Sequence, residues 1–479
     1  MKLILILILS LLGLLLLLLL IALARTLLSP AKTSAWKAAA QPEREALYAK
    51  KLSRMVQCET VSLPGVDQRD KFLGFHRLLE ELFPLVHEHL EKTEIDGNLL
   101  YFWKGKSSER PVVLMSHQDV VPAEGEWLHE PFSGEIIDGK VWGRGSADTK
   151  CSVMAFFQAV EELLAEGFVP EQDVYLSSSC TEEVAGEGCP KLVAELKRRG
   201  LRPWLVCDEG GAIVEEPIGG VKGHYAMIGV LEKGLGNLKL SAGSHGGHSS
   251  YPPKNSPIAR LAAFITDIER HDPMKVAFEP EVEAMFHTLS AYGPFHYRLL
   301  FGNLWLFKPL LKKLMPVLSN QAAALLKTTV AFTMQSGSDA ANVLPQEADL
   351  TINLRYIPHQ DMDESNGIIR KLAEKHGLQM SVLRAYPSCP PVKIDSDAYR
   401  LVERVIGEVF PGLPACPYVM TGGTDARFYQ EICGACIRFS PVMYGPAQMK
   451  GMHGINENID TVSLPGAVDF YKAVIRADV

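Results

Sequence analysis

The chain has 479 residues, too many for one ordinary core and a natural length for two domains. Charged residues make up 22% and hydrophobic residues 47%, a globular balance that excludes a disordered or fibrous chain. A net charge of -8 without a basic stripe gives no reason to expect nucleic acid as a partner.

The N-terminus is a different material. After Met1-Lys2, residues Leu3 to Ala24 carry no charge and are mostly Leu and Ile. That run can span a bilayer, which takes about 20 residues, yet Ala22-Leu23-Ala24 fits the small-x-small pattern of a cleavage site. The expectation is a cleaved signal peptide over residues 1–24, with an uncleaved signal anchor as the alternative. Either way the body of the protein is expected in the secretory lumen or outside the cell. Nine cysteines are few for a secreted chain and suggest buried thiols rather than a disulfide framework. Cys433-Gly-Ala-Cys436 has CxxC spacing but lacks the second pair of a zinc knuckle.

Glu43 to Lys51 and Lys71 to Phe83 have helical periodicity, the second stopped by Pro84. Asn98 to Trp103 and Pro111 to Met115 read as strands, and Val112 to Met115 is a continuous apolar run of the doubly buried kind. It leads into Ser116-His117-Gln118-Asp119. The Gly-rich stretch Gly139 to Lys150 precedes an amphipathic helix over Cys151 to Glu166, but it lacks the Gly-Lys-Ser/Thr ending of a phosphate loop. Its acidic Asp148 would repel phosphate and suit a metal. Asp173 to Gly188 starts as a buried strand and delivers the adjacent carboxylates Glu182 and Glu183. Neighbours leaving a strand point to opposite sides, so the pair can divide its work. A helix over Lys191 to Arg199 and a strand over Trp204 to Cys207 follow, the latter ending in Asp208-Glu209. Such alternation predicts an α/β domain with a mostly parallel sheet.

After Lys233-Gly234 the pattern changes. Strands at Asn237 to Ala242, Thr329 to Gln335, Ala348 to Tyr356 and Leu378 to Ala385 interleave with helices at Pro257 to Glu269 and Met362 to His376. Strand-helix-strand-strand-helix-strand is the ferredoxin-like order. The expected division is a catalytic domain in two parts, residues 40–236 and 389–479, around an inserted α+β lid or dimerisation domain at 237–388. The second part carries a helix over Asp397 to Phe410, the Thr421 to Asp425 stretch and Met452-His453-Gly454.

Five residues end apolar strands or head helices: His117, Asp148, Glu183, Asp208 and His453. Alone, His117 reads as a hydrogen-bonded core histidine and Asp148 as an N-cap. Together, two imidazoles and three carboxylates are the ligand set of a two-metal site for zinc or a similar borderline ion. The spacing does not decide which of Glu182 and Glu183 would be the ligand.

His117-x-Asp119, Gly145-x-x-Asp148-x-Lys150, Thr181-Glu182-Glu183, Asp208 and His453-Gly454 occur in the order of the M20 metallopeptidases, and the chain resembles that family over about residues 45–479. The resemblance is greatest to the carboxypeptidase S-like branch, which includes secreted N-fatty-acyl-amino acid synthase/hydrolases. It implies a zinc-exopeptidase-like catalytic domain holding two Zn²⁺ per subunit, with His117 and Asp208 on one ion, Glu183 and His453 on the other, and Asp148 bridging. It further implies that Asp119 orients His117 and that Glu182 is the general base. His248 would stabilise the oxyanion, within its own subunit or from across a homodimer. Asn342 and Arg355 would hold the substrate carboxylate, with backbone groups of Gly422, Gly423 and Thr424 beside it.

Expected substrates are N-fatty-acyl amino acids, hydrolysed or formed from free fatty acid and amino acid. A carboxypeptidase or dipeptidase on small peptides and a non-enzymatic carrier of lipidated amino acids are the alternatives. The densest apolar run, Phe295 to Leu326, carries Lys308, Lys312 and Lys313. It reads first as packed lid helices, then as an acyl-binding wall, and third as a face docking on lipid or lipoprotein.

Overall fold

The computed structural model describes residues 1–478 and forms an α/β domain with a mostly parallel central sheet. Ser107–Met115 is central and pairs in parallel with Gln172–Ser178 and Leu205–Asp208; Cys436–Arg438 continues the parallel run. Antiparallel Asn98–Trp103 and Glu91–Ile95 form one edge. On the other side His224–Glu232 receives Ala415–Met420 in parallel and Ala212–Glu215 antiparallel. Helices Pro42–Val56, Lys150–Ala165 and Leu464–Arg476 share the main core with this sheet. Lys150–Ala165 is buried nearly all round, so its flanking helices, rather than solvent, set its sequence.

A second sheet lies apart from the central one. This antiparallel sheet runs Thr329–Ser336, Glu347–Tyr356, Gly234–Gly243, Gln379–Tyr386, the strands expected of the lid. Alternation puts Leu238, Leu240, Ala242, Leu350, Ile352 and Leu354 in one core beneath helices Pro257–Arg270 and Met362–Lys375. Asn237, Lys239 and Asn353 lie on the other face, where Lys239 pairs with Asp349 at 2.8 Å and the two asparagines bond at 2.7 Å.

Three features differ from the sequence expectation. Glu182 and Glu183 do not leave a strand directly. The strand stops at Ser178, and the pair lies in a turn closed by Ala185 N–H to the Glu182 carbonyl and Gly186 N–H to the Thr181 carbonyl. The strand-alternation argument therefore does not apply to them. Strand His224–Glu232 is longer than anything expected between Asp208 and Lys233, and it is buried over most of its length. Finally, helices Pro280–Ser290, Phe295–Phe301, Leu304–Leu318 and Asn320–Leu326 leave the lid core. Val282, Met285, Phe286, Leu304 and Met315 instead form a separate core with Tyr225, Met227, Leu231, Cys416 and Val419 of the catalytic sheet. All nine cysteines are free, and all but Cys58 are buried.

Phe286 stacks on Phe301 with ring centroids 4.6 Å apart. Phe286→Ala is expected to cost about 3–5 kcal/mol through the cavity it leaves. Denaturant unfolding followed by fluorescence measures it. A loss within error of zero would mean that this helical insertion does not pack on the catalytic sheet.

Candidate metal centre

Loops at the carboxyl ends of the parallel strands bring five ligand-type side chains together. His117 follows Ser107–Met115, Asp148 heads the helix Lys150–Ala165, Glu183 lies in the turn after Gln172–Ser178, and Glu209 follows Leu205–Asp208. His453 comes from the far end of the chain in a left-handed conformation, φ 54°, unusual for a non-glycine residue.

Asp148 is the centre. Its Oδ1 lies 3.2 Å from His117 Nε2 and its Oδ2 lies 3.1 Å from His453 Nε2. Glu209 Oε1 is 3.4 Å from His117 Nε2, and Glu183 Oε2 is 3.0 Å from His453 Nε2. Two three-residue groups result: His117 with Asp148 and Glu209, and Asp148 with Glu183 and His453.

The expected ligand Asp208 is in neither group. Its carboxylate is turned away, accepting the backbone N–H of Glu209 and of Ala426, each at 2.8 Å. The chain leaves the strand at this point, so the next residue, Glu209, faces the cluster with a longer side chain. Asp208 instead anchors the start of the short helix Ala426–Tyr429.

The histidine tautomer can be read from its partners. His117 Nδ1 lies 2.9 Å from the Asp119 backbone carbonyl, which can only accept, so Nδ1 carries the proton. Nε2 faces two carboxylates and is the nitrogen left to ligate a metal. Burial opposes a charge on His117, but the carboxylates of Glu209, Asp119 and Asp148 raise its pKa well above the usual value. Burial pushes Glu209 up to about 7 and raises Glu182 strongly. Asp148 is held low despite burial, because His117 and His453 flank it. Glu183 Oε1 is buried with no hydrogen-bond partner. A ring nitrogen facing clustered carboxylates and an unsatisfied buried oxygen suit a pair of divalent cations; two imidazoles with carboxylates suit zinc.

Asp119 organises the other side. Its carboxylate oxygens accept the backbone N–H of Glu182 and of Glu183, both at 3.1 Å, and the Ser62 hydroxyl at 2.6 Å. Its carbonyl thus orients His117 while its carboxylate holds the glutamate turn. The carboxylate is the more distant of the two from the imidazole, its Oδ1 lying 3.5 Å from His117 Nδ1.

Two further contributors carry no motif. Buried Glu457 takes the Arg144 guanidinium at 2.7 Å and the backbone N–H of Ala147 and Asp148 at 2.9 Å each. Arg144 also donates to the Gly454 carbonyl at 2.7 Å, tying the His453 loop to the Asp148 loop. Arg427 Nη2 lies 3.6 Å from Glu182 Oε1 and is the cation beside that carboxylate. Only its place just after Thr421 to Asp425 could have drawn attention to it.

The lid residues fall into two sets. Arg355 is half-buried in Glu347–Tyr356, its pKa lowered by burial and by the charge of Arg427. His248 and Asn342 sit together on the exposed lid tip, where the Asn342 carbonyl accepts the Ser249 N–H at 3.1 Å, and neither joins the cluster. Ser250 N–H donates to His248 Nδ1 at 3.1 Å, which leaves Nε2 as the protonated nitrogen. Gly422 is exposed, and Gly423 lies so close to Arg427 that an added Cβ would be 2.9 Å from its Nη1. Thr424 is not available to a substrate. Its N–H and hydroxyl both donate to Glu232, at 3.1 and 2.9 Å, and that buried carboxylate also takes Arg438 at 3.0 Å.

Fold and site together define a metal-dependent amidohydrolase. Residues 113–477 match the model of peptidase family M20/M25/M40, and the chain belongs to this family. It is 33% identical over 442 residues to a probable carboxypeptidase S-like protein of Dictyostelium discoideum, covering 89% of this chain and 84% of that one. It is also 33% identical over 440 residues to the human (Homo sapiens) N-fatty-acyl-amino acid synthase/hydrolase, covering 89% and 86%. Among solved structures, an M20 family metallo-carboxypeptidase from Sulfolobus solfataricus superposes with a TM-score of 0.67 at 18% identity, covering 90% of this chain and 98% of the other.

Glu457→Gln leaves the buried Arg144 without its countercharge and should destabilise the protein by about 3 kcal/mol or more. Thermal unfolding should show the drop in the metal-free and the metal-loaded protein alike. A wild-type melting temperature would mean that Glu457 does not hold the two loops.

Proposed function

We propose that this protein is a two-zinc hydrolase of N-fatty-acyl amino acids that can also run in the synthetic direction. His117, Asp148 and Glu209 would hold one ion, and Asp148, Glu183 and His453 the other, with Asp208 outside the set. The observation that carries this reading is the two-sided engagement of Asp148 by imidazoles, with Glu182 free of both groups. Bound there, two zinc ions would polarise the scissile carbonyl and acidify a water.

Glu182 would take the proton from the attacking water and pass it to the leaving nitrogen as the C–N bond breaks. Its buried position and raised pKa suit an acid-base group, and Arg427 beside it keeps the carboxylate form accessible. Arg355 is the cation offered to the substrate carboxylate, with the Gly422-Gly423 backbone alongside. His248 offers an Nε2–H donor on an exposed tip, an arrangement that suits delivery to the site of a second copy in a homodimer. In reverse, the amino group attacks the fatty acid and water leaves. The similarity to the synthase/hydrolase supports the fatty-acyl substrate, and the apolar N-terminal segment supports export of the body of the protein.

The carboxypeptidase S-like relative favours a second reading, release of C-terminal residues from small peptides. Purified protein given oleoyl-phenylalanine and Gly-Leu separates the two. Preference for the acyl amino acid is expected, and preference for the dipeptide overturns the first reading.

Glu182→Gln should lower turnover in both directions by about 10²–10⁴-fold, the range for loss of a positioned acid-base group, with metal content unchanged. Metal analysis by mass spectrometry should find one ion lost in Glu209→Gln and both kept in Asp208→Asn. The opposite pattern would return Asp208 to the ligand set.

A further inference from the structure

Gln118 stands between His117 and Asp119, and its polar groups are all used inside the protein. Its N–H donates to the Ser179 carbonyl at 2.8 Å, and its carbonyl accepts the Thr60 hydroxyl at 2.7 Å. Its side-chain Nε2 donates to the carbonyls of Gly97 and Ser178, at 3.0 and 3.1 Å. Those two partners can only accept, which fixes the end of the amide that is nitrogen. The amide oxygen therefore faces His76 Nε2, 3.0 Å away. His76 is buried on the helix Arg69–Leu82, and its Nδ1 lies 3.0 Å from Glu94 Oε2 on the strand Glu91–Ile95.

Both ring nitrogens of His76 thus face oxygens. Gln118 Oε1 can only accept, so Nε2 must carry a proton. The contact to Glu94 needs a second one, on Nδ1 beside a carboxylate or on the carboxyl group beside a bare Nδ1. The His76–Glu94 pair therefore holds two protons when both bonds exist. When one leaves, the ring keeps its bond to Glu94, because a charged acceptor makes the stronger contact. Nε2 then turns a lone pair to the Gln118 oxygen. Flipping the amide gives no relief, since its oxygen would meet the Gly97 and Ser178 carbonyls.

We propose that His76 is a positioning residue for the metal ligand His117, holding Gln118 through a bond that lasts only while the His76–Glu94 pair carries two protons. A shift of Gln118 carries the adjoining His117 peptide with it, and His117 Nε2 is the atom that meets Asp148 and Glu209. This role rests on the metal reading of His117 proposed for the site. The charges around the ring set its direction. Burial lowers the His76 pKa from its ordinary value, while Glu94 and Gln118 oppose that fall. The other charges in reach are Lys92, on the strand of Glu94, and Glu80, on the helix of His76; they pair with each other at 2.8 Å. The His117 loop brings only the neutral Gln118 to the ring. With a lowered pKa, the bond to Gln118 is complete in acid and lost as pH rises through that pKa.

The test is zinc titration of the full chain in detergent micelles, by competition with a chelating dye across about pH 5 to 8. Protons on the ligands make zinc affinity climb with pH in every variant, so each affinity is read relative to Glu94→Gln. There the introduced amide donates to a bare Nδ1 and leaves Nε2–H for Gln118, which satisfies both contacts without the extra proton. Wild type should match Glu94→Gln in acid and bind zinc about tenfold more weakly at the alkaline end, the low end of the range for losing a hydrogen bond behind a metal histidine. His76→Phe should bind about tenfold more weakly than Glu94→Gln at every pH. A ratio of wild type to Glu94→Gln that stays flat with pH, or wild-type affinity in His76→Phe, overturns the proposal and leaves the metal reading intact. Wild type that takes up no zinc at any pH overturns both.

Discussion

Both oxygens of Asp148 are committed to imidazole nitrogens, one on each side, and the rest of the site follows from that constraint. The two histidines are far apart in sequence, so the first and last parts of the catalytic domain must close on one carboxylate. A bare cluster of this kind could not do so by attraction alone, because desolvation of each buried carboxylate opposes it. Arg144 and Glu457 supply the mechanical link. Glu457 grips the backbone of Ala147 and Asp148, and Arg144 reaches the Gly454 carbonyl next to His453. The strained φ of His453 is held by this closure.

The lid and the helical insertion place different demands on the chain. The lid sheet has its own core and presents Arg355 toward Arg427 from outside the catalytic domain. Arg384 of the lid donates to the Ala185 carbonyl in the glutamate turn, so lid position and the turn are mechanically coupled. The insertion over 280–326, although it falls inside the lid in sequence, is held by the catalytic sheet.

Most of the architecture was legible because its signals were periodic. The apolar run before His117 and the alternation at Asn237 to Ala242 admit few other readings. Of the five residues read as candidate ligands, His117, Asp148, Glu183 and His453 come together, and the neighbour of Asp208 takes the remaining place. Asp208 and Glu209 are both acidic and adjacent, and which one faces the metal side depends on the turn after Leu205–Asp208 and on an acceptor needed by Ala426 N–H, a contact made across the fold. Thr424 and Arg427 illustrate the same limit. Whether a polar group is free or committed depends on Glu232, a distant residue at the end of a strand that sequence reading did not find.

Glu182 and Glu183 meet different partners because of their shared neighbour rather than strand geometry. Asp119 accepts both of their N–H groups, so consecutive peptides are pinned to one carboxylate and the side chains must diverge. Glu183 then meets His453 and Asp148, while Glu182 goes to the side where Arg427 lies. Burial and nearby carboxylates raise the pKa of Glu182, and His117 and Arg427 oppose that rise. A carboxyl group under such opposed influences can both accept a proton and give it up, as an amide hydrolase requires of one group. Its neighbour, held against an imidazole and a second carboxylate, is better placed to share a cation than to move a proton.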